Sequence, residues 1–156
     1  MSTVEVALTI AAAVGAGLTG GVYLAFSFLV LPAFRTLPAA AAVSAMQRIN
    51  VSAVRVPFMT VFFGGAAASV AVIVLQLVSE TPNGTTRIVG AVLALAAVVI
   101  TVVRNVPLNN ALVRVDPAST DASAAWQAFD RSWSPANSAR AAVSVAATVV
   151  LMFSLT

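Results

Sequence analysis

Amide and guanidinium side chains recur at one end of this chain's apolar segments, and they are the groups whose chemistry needs explaining. Asn105, Asn109 and Asn110 fall within six positions of RNVPLNNALVR, bracketed by Arg104 and Arg114. Asn137 and Arg140 stand three apart in SWSPANSAR, and Asn50 closes MQRIN. Such groups are costly beside lipid; they face a bundle interior and mark a function or a structural bond. If Pro135 opens a helix, Arg140 lies in its first two turns, where a cation is unfavourable by about 0.3–1 kcal/mol at an exposed site. Asn137 shares that face. A helix N-terminus, an arginine and an amide converging in one place can hold an anion or an oxyanion. The competing reading of Arg140 is a snorkelling cation that marks topology.

The neighbouring residues also have two readings. Arg104 suits the negative end of a helix dipole, and Asn105 suits a C-cap ahead of a stop at Pro107. Asn109 and Asn110 lie beyond that stop, where they satisfy exposed backbone or line a cavity. Trp126, Phe129 and Trp133 repeat at i, i+3 and i+7, either as interfacial anchors or as a flat apolar wall over a planar ligand. Gln47 and Asn50 most simply bond neighbouring helix ends. Tyr23 stands alone and carries no reading.

Composition places these residues in a membrane. The 156 residues are 60% hydrophobic and 8% charged, against about 25% charged in a soluble domain; the mean hydropathy is +1.01. Eight arginines against five acids give a net charge of +3, but the arginines are scattered, so no nucleic-acid partner is expected. The chain has neither Cys nor His. That composition excludes disulfides, thiol chemistry, haem held by His or Cys and the usual zinc sites. Glu5 stands where a signal peptide would carry basic residues, so a cleaved leader is not expected.

Four membrane spans are expected, at about residues 6–34, 56–79, 86–104 and 135–155, within one domain over 1–156. A span needs roughly 20 apolar residues, and 6–34, 56–79 and 88–103 carry no charge. The uncharged run 141–156 is short, so the fourth helix is drawn back to Ser134 as N-cap and Pro135 as first helical residue. Seven arginines flank the two longer connections, and only Arg87, with Glu80, flanks the short turn. That bias predicts a multi-pass protein of the cell membrane with cytoplasmic connections and outer termini. Both connections carry an amphipathic helix. In 39–55, Ser44, Arg48, Ser52 and Arg55 oppose Val43, Met46, Asn50 and Val54; the second is the aromatic segment, with cap candidates Thr120 and Asp121. The fold class is therefore an all-α four-helix membrane bundle with short amphipathic helices in its connections. Gly17 and Gly21, four apart, offer close helix packing against the small residues 64–69, or a homo-oligomer contact through helix one.

GVYLAFSFLVLPAF, MQRIN, RNVPLNNAL and WSPANSAR, in order over nearly the whole chain, resemble the anthrone oxygenase-like membrane proteins. The resemblance singles out Asn50, Asn105, Pro107, Asn109, Trp133, Asn137 and Arg140. It implies oxidation of an anthrone to an anthraquinone by molecular oxygen, without metal or flavin. Such a reaction needs a dry planar pocket, donors for the substrate anion and a proton acceptor. Asn109, Asn137 and Arg140 are the expected catalytic donors, with Asp130 as base unless the substrate ionises unaided. Asn50, Asn105, Asn110, Trp126 and Trp133 are the expected substrate contacts. The expected function is a cofactor-independent oxygenase acting on an anthrone- or quinol-like aromatic, with the lipophilic substrate and the bilayer as partners. The alternative is a non-enzymatic membrane subunit that binds a lipid, a hydrophobic ligand or a partner complex.

Overall fold

A computed structural model describes residues 1–79 and 81–156; Glu80, expected in the short turn, lies outside them. Four helices are long and apolar enough to cross a membrane: Thr3–Phe34, Val56–Val78, Gly84–Val113 and Ala122–Phe153. The α-helical elements that make up and join these spans are α1 (Thr3–Ala25), α2 (Leu31–Phe34), α3 (Ala39–Ala53), α4 (Val56–Val78), α5 (Gly84–Ile100), α6 (Val106–Val113) and α7 (Ala122–Phe153). Helix α1 packs on α4 and α7, and α5 packs on the same two, so the four close into a ring. One end of the ring carries the turn at 82–83. The other, here the connection end, carries α2, α3, α6 and the first half of α7.

Helix starts follow local chemistry. Ser2 caps α1 in a reciprocal box: the Glu5 N–H donates to Ser2 Oγ and the Ser2 N–H to Glu5 Oε2, satisfying two orphan donors. Pro57 lies in the first turn of α4, where its missing N–H does no harm. Asn83 enters α5 from the left-handed region at φ 62°, which asparagine tolerates.

Proline acts differently at the connection end. Pro32 and Pro107 each follow a five-residue π-helical turn, Phe26–Val30 and Thr101–Asn105. A proline inside an α-helix removes a hydrogen bond and collides with the carbonyl four residues back. Widening the preceding turn accommodates it, so that Leu31 N–H bonds Phe26 O and Val106 N–H bonds Thr101 O, five residues apart. The third span therefore continues through Pro107 to Val113 instead of stopping near 104. Asn105 is not a C-cap, and Asn109 and Asn110 are helical.

The fourth span also runs further than expected. Pro135 lies inside a single 32-residue helix that begins at Ala122, so Ser134 is no N-cap and the aromatic segment is the first half of α7. Its stripe faces protein: Trp126, Phe129 and Trp133 are buried with Leu31, Val43, Met46 and Leu112. Successive rings along the stripe stand 5.7 and 5.8 Å apart, and Phe26 adds a tilted contact 5.5 Å from Trp133. An anchor role would have left these rings at the surface. Gln47 of α3 donates to the carbonyls of Leu112 and Val115, both at 2.9 Å, closing the end of α6. Val54, expected on the apolar face of α3, is instead exposed at its C-cap.

Toward the turn end the core shrinks to small residues, Ala12, Ala13, Ala68 and Ala91 among them. The close approach there does not use Gly17 and Gly21. A Cβ on Gly15 would stand 2.5 Å from the Gly65 Cα, and one on Gly20 would stand 2.9 Å from Ser144 Cβ, whereas Gly21 has no neighbour within 4 Å.

Candidate functional site

All four spans and α3 border a cavity of about 470 Å³ at the connection end. Its walls are mainly apolar: Val22 and Phe26 from the first span, Met46 and Ile49 from α3, Phe58 and Met59 from α4, and Val106 from α6. Polar groups enter at few points, namely Asn50, Thr101, Asn109, Tyr23, Trp133 and Arg140, with Arg48 and Ser52. That composition, apolar walls with a few placed polar groups, is the usual character of a small-molecule site.

Arg140 is the organising residue. It is 7% exposed, and no acidic group pairs with it among the described residues. Its Nε and Nη2 donate to Asn137 Oδ1 at 3.1 and 2.9 Å, and its Nη1 donates to Thr101 Oγ1 at 3.2 Å. Those contacts leave two of the five guanidinium N–H donors unused. Two aromatic faces flank the cation, with Cζ 4.0 Å from the Tyr23 ring centroid and 5.1 Å from that of Trp133. Each face attracts it by roughly 2 kcal/mol when desolvated.

The asparagines hold this arrangement in place. Asn137, fully buried, donates Nδ2 to the Tyr23 carbonyl and to Ser27 Oγ, both at 2.8 Å. The carbonyl it reaches stands where α1 passes into its π turn, since Phe26 N–H is already shared between the carbonyls of Val22 and Tyr23. One amide thus ties α7 to a joint in the first span and presents its oxygen to Arg140. Asn109 accepts from Trp133 Nε1 at 2.7 Å, fixing the indole in the cavity wall. Asn105 is buried beside them and reaches the Trp133 carbonyl only at 3.4 Å.

Of the residues singled out in the sequence, Asn50, Asn109, Trp133 and Arg140 line the cavity, and Asn137 touches Arg140 from behind. Asn105 lies outside the lining, Asn110 is exposed, and Trp126 belongs to the core under α3. Asp130 also lies outside it. Both its carboxylate oxygens accept from Arg35, at 2.8 and 3.0 Å, and Ser134 donates to one of them. This pairing raises the Arg35 guanidinium above its ordinary pKa. No carboxylate lines the cavity among the described residues.

Tyr23 and Thr101, neither of them singled out beforehand, both touch Arg140 and line the cavity. The prolines were a signal for them, because each stands in or beside a turn that a nearby proline widens.

A model of the anthrone oxygenase family matches residues 58–150, a stretch that includes Thr101, Asn105, Asn109, Trp133, Asn137 and Arg140. No curated protein and no solved structure matches the chain.

Proposed function

The chain belongs to the anthrone oxygenase family, and from that premise we propose that it oxidises a flat, lipophilic aromatic with molecular oxygen inside the cavity at the connection end. One observation carries this reading: a buried guanidinium with no acid beside it among the described residues, at the wall of an apolar space large enough for a polycyclic molecule. A buried cation left without a counter-charge is costly. An anionic ligand supplies the missing charge, and the two free N–H donors aim specificity at it.

An anthrone fits this requirement. Loss of one proton from its methylene carbon gives an electron-rich anion whose charge rests largely on the ketone oxygen. Arg140 stabilises that anion more than the neutral ketone, which is what a preorganised donor contributes to catalysis. The apolar walls and Trp133 keep the ring system dry. Oxygen adds at the ionised carbon; overall that carbon loses two hydrogens and gains one oxygen atom, and the second oxygen leaves as water. With seven arginines around the connections, the cavity lies toward the cytoplasmic leaflet in this reading.

The test is turnover of an anthrone by purified protein in lipid discs, with metals chelated, following oxygen uptake and anthraquinone absorbance. A wild-type rate well above the spontaneous one, lost in Arg140→Ala, is the expected result. A wild-type rate equal to the background overturns the reading.

A second reading has its own support, because Asn137 and Asn109 are already engaged in joining helices. A non-enzymatic subunit that binds a lipid or hydrophobic ligand needs such joints too. Thermal denaturation in detergent separates the two. For a structural cluster, Asn109→Ala and Arg140→Ala both melt early with or without an anthrone. For a site, Arg140→Ala keeps most of its stability and loses the protection that ligand gives.

A further inference from the structure

We propose that the hydroxyl of Tyr23 is the proton carrier of this site, an inference that rests on the oxygenase reading. The reaction must move protons on and off the reacting carbon and its oxygens. The sequence offered Asp130 for that work, but its carboxylate is engaged by Arg35 and Ser134 and does not line the cavity. Among the lining residues only Tyr23, Arg48 and Arg140 ionise. A guanidinium does not act as a proton carrier in proteins, which leaves the phenol.

The surroundings of Tyr23 suit the role. The residue is 2% exposed, yet its hydroxyl makes no hydrogen bond among the described residues. Nor is it one of the side-chain atoms sealed off without a partner, which are Asn50 Nδ2, Arg87 Nε, Asn105 Oδ1 and Ser144 Oγ. It therefore opens on space that a small group can reach. Tyr23 lines the large cavity and also a hollow of about 20 Å³ on its turn-end side, between α1, α4 and α5. Arg140 from α7 lies over its ring at 4.0 Å, and Arg48 from α3 borders the same cavity. Neither α4 nor α5 contributes an ionisable side chain to either lining among the described residues. A phenolate formed here faces cations and no anion.

The steps balance with the tyrosine returned unchanged. Oxygen adds to the substrate carbanion, forming the carbon–oxygen bond and leaving a peroxide anion. The Tyr23 O–H donates its proton to that anion, giving a hydroperoxide and a phenolate beside Arg140. The phenolate then takes the remaining hydrogen from the same carbon as a proton. The electron pair of that C–H bond forms the carbonyl, the O–O bond breaks, and hydroxide leaves. The proton lost when the substrate first ionised converts the hydroxide to water.

Tyr23→Phe keeps the ring and its contact with Arg140 and deletes only the hydroxyl. Its kcat should fall about 10²-fold, the lower range for a general acid–base group, with KM for the anthrone within about twofold, since the site's binding contacts remain. An organic hydroperoxide should accumulate, which a merely structural role would not produce. Because the chain contains a single tyrosine, biosynthetic replacement by 3,5-difluorotyrosine alters position 23 alone. That more acidic phenol should move the pH profile of kcat to lower pH. Turnover in wild type, with Tyr23→Phe equally fast or with the fluorinated protein's profile unmoved, overturns the proton-carrier role and leaves the oxygenase reading standing. No turnover in wild type overturns both.

Discussion

Each end of the bundle buries an arginine, and the two are treated in opposite ways. At the turn end Arg87 is fully buried in a polar nest that engages both its terminal nitrogens. Its Nη1 donates to Thr81 Oγ1 at 3.1 Å and stands 4.0 Å from Glu5 Oε1, its Nη2 donates to the Pro82 carbonyl, and Gln76 joins the same carboxylate from α4. A carboxylate from α1, an amide from α4 and a guanidinium from α5 thus lock three helices together. At the connection end Arg140 is buried nearly as deeply, between the Asn137 amide, the Thr101 hydroxyl and two aromatic faces, with no acid beside it among the described residues. A matched pair in a small-residue core has no charge left to offer a ligand. An unmatched cation beside a cavity has a whole one, and the difference separates a clasp from a site.

That contrast can be broken by exchanging what each arginine does. The largest expected effect is on catalysis: Arg140→Ala should lower turnover by about 10²–10³-fold, the scale of losing an oxyanion-type donor, measured by anthraquinone formation. Its melting midpoint should move little. Arg87→Ala should do the reverse, because it removes the cation beside the Glu5 carboxylate and leaves Thr81 and the Pro82 carbonyl without their buried donor. We expect the midpoint to fall by roughly 10 °C or more, while the fraction that remains folded turns over at the wild-type kcat. Comparable activity losses in both variants would erase the distinction.

Smaller changes sharpen it. Asn137→Ala removes the Tyr23 joint and the support of Arg140 together, so both readouts should drop, turnover by about tenfold and stability by about 1–3 kcal/mol for the stranded polar groups. Trp133→Phe keeps an aromatic wall but frees Asn109. Stability should fall by about 1 kcal/mol, and substrate KM should rise more than kcat falls. Asp130→Asn should be the mildest, since its Arg35 partner is half exposed. Such a pair contributes less than about 1 kcal/mol, and turnover should be unchanged. A large catalytic loss in that variant would return Asp130 to the chemistry.

The four spans were legible because long stretches without charge admit little else in so apolar a chain, and the arginine bias separated the two ends. The concentration of amides at one end was legible for the same reason. Helix continuity was not. Pro107 and Pro135 are strong stop signals in isolation, but neighbouring helices can re-satisfy the backbone groups a proline frees in an apolar bundle. Asn109 and Asn110 differ by one position, and only the helical frame beyond the π turn sends the first to the cavity and the second outward. Asp130 looked available because its partner Arg35 lies 95 residues away. Tyr23 could be valued only once Arg140, on another helix, was seen to lie across it.

The two π turns have a genetic consequence. A π turn holds one residue more than the α turn it replaces, so each acts as a phase shift of roughly 100° partway along its span. The lipid-facing register before it and the cavity-facing register after it are written in different helical frames. Deleting one residue within 26–30 or 101–105 would return that turn to α and keep every downstream residue on the face it holds now, losing only the widening that accommodates the proline. The same loss just beyond the turn, between Pro107 and Asn109, has no slack to absorb it and would swing Asn109 out of the cavity by roughly 100°.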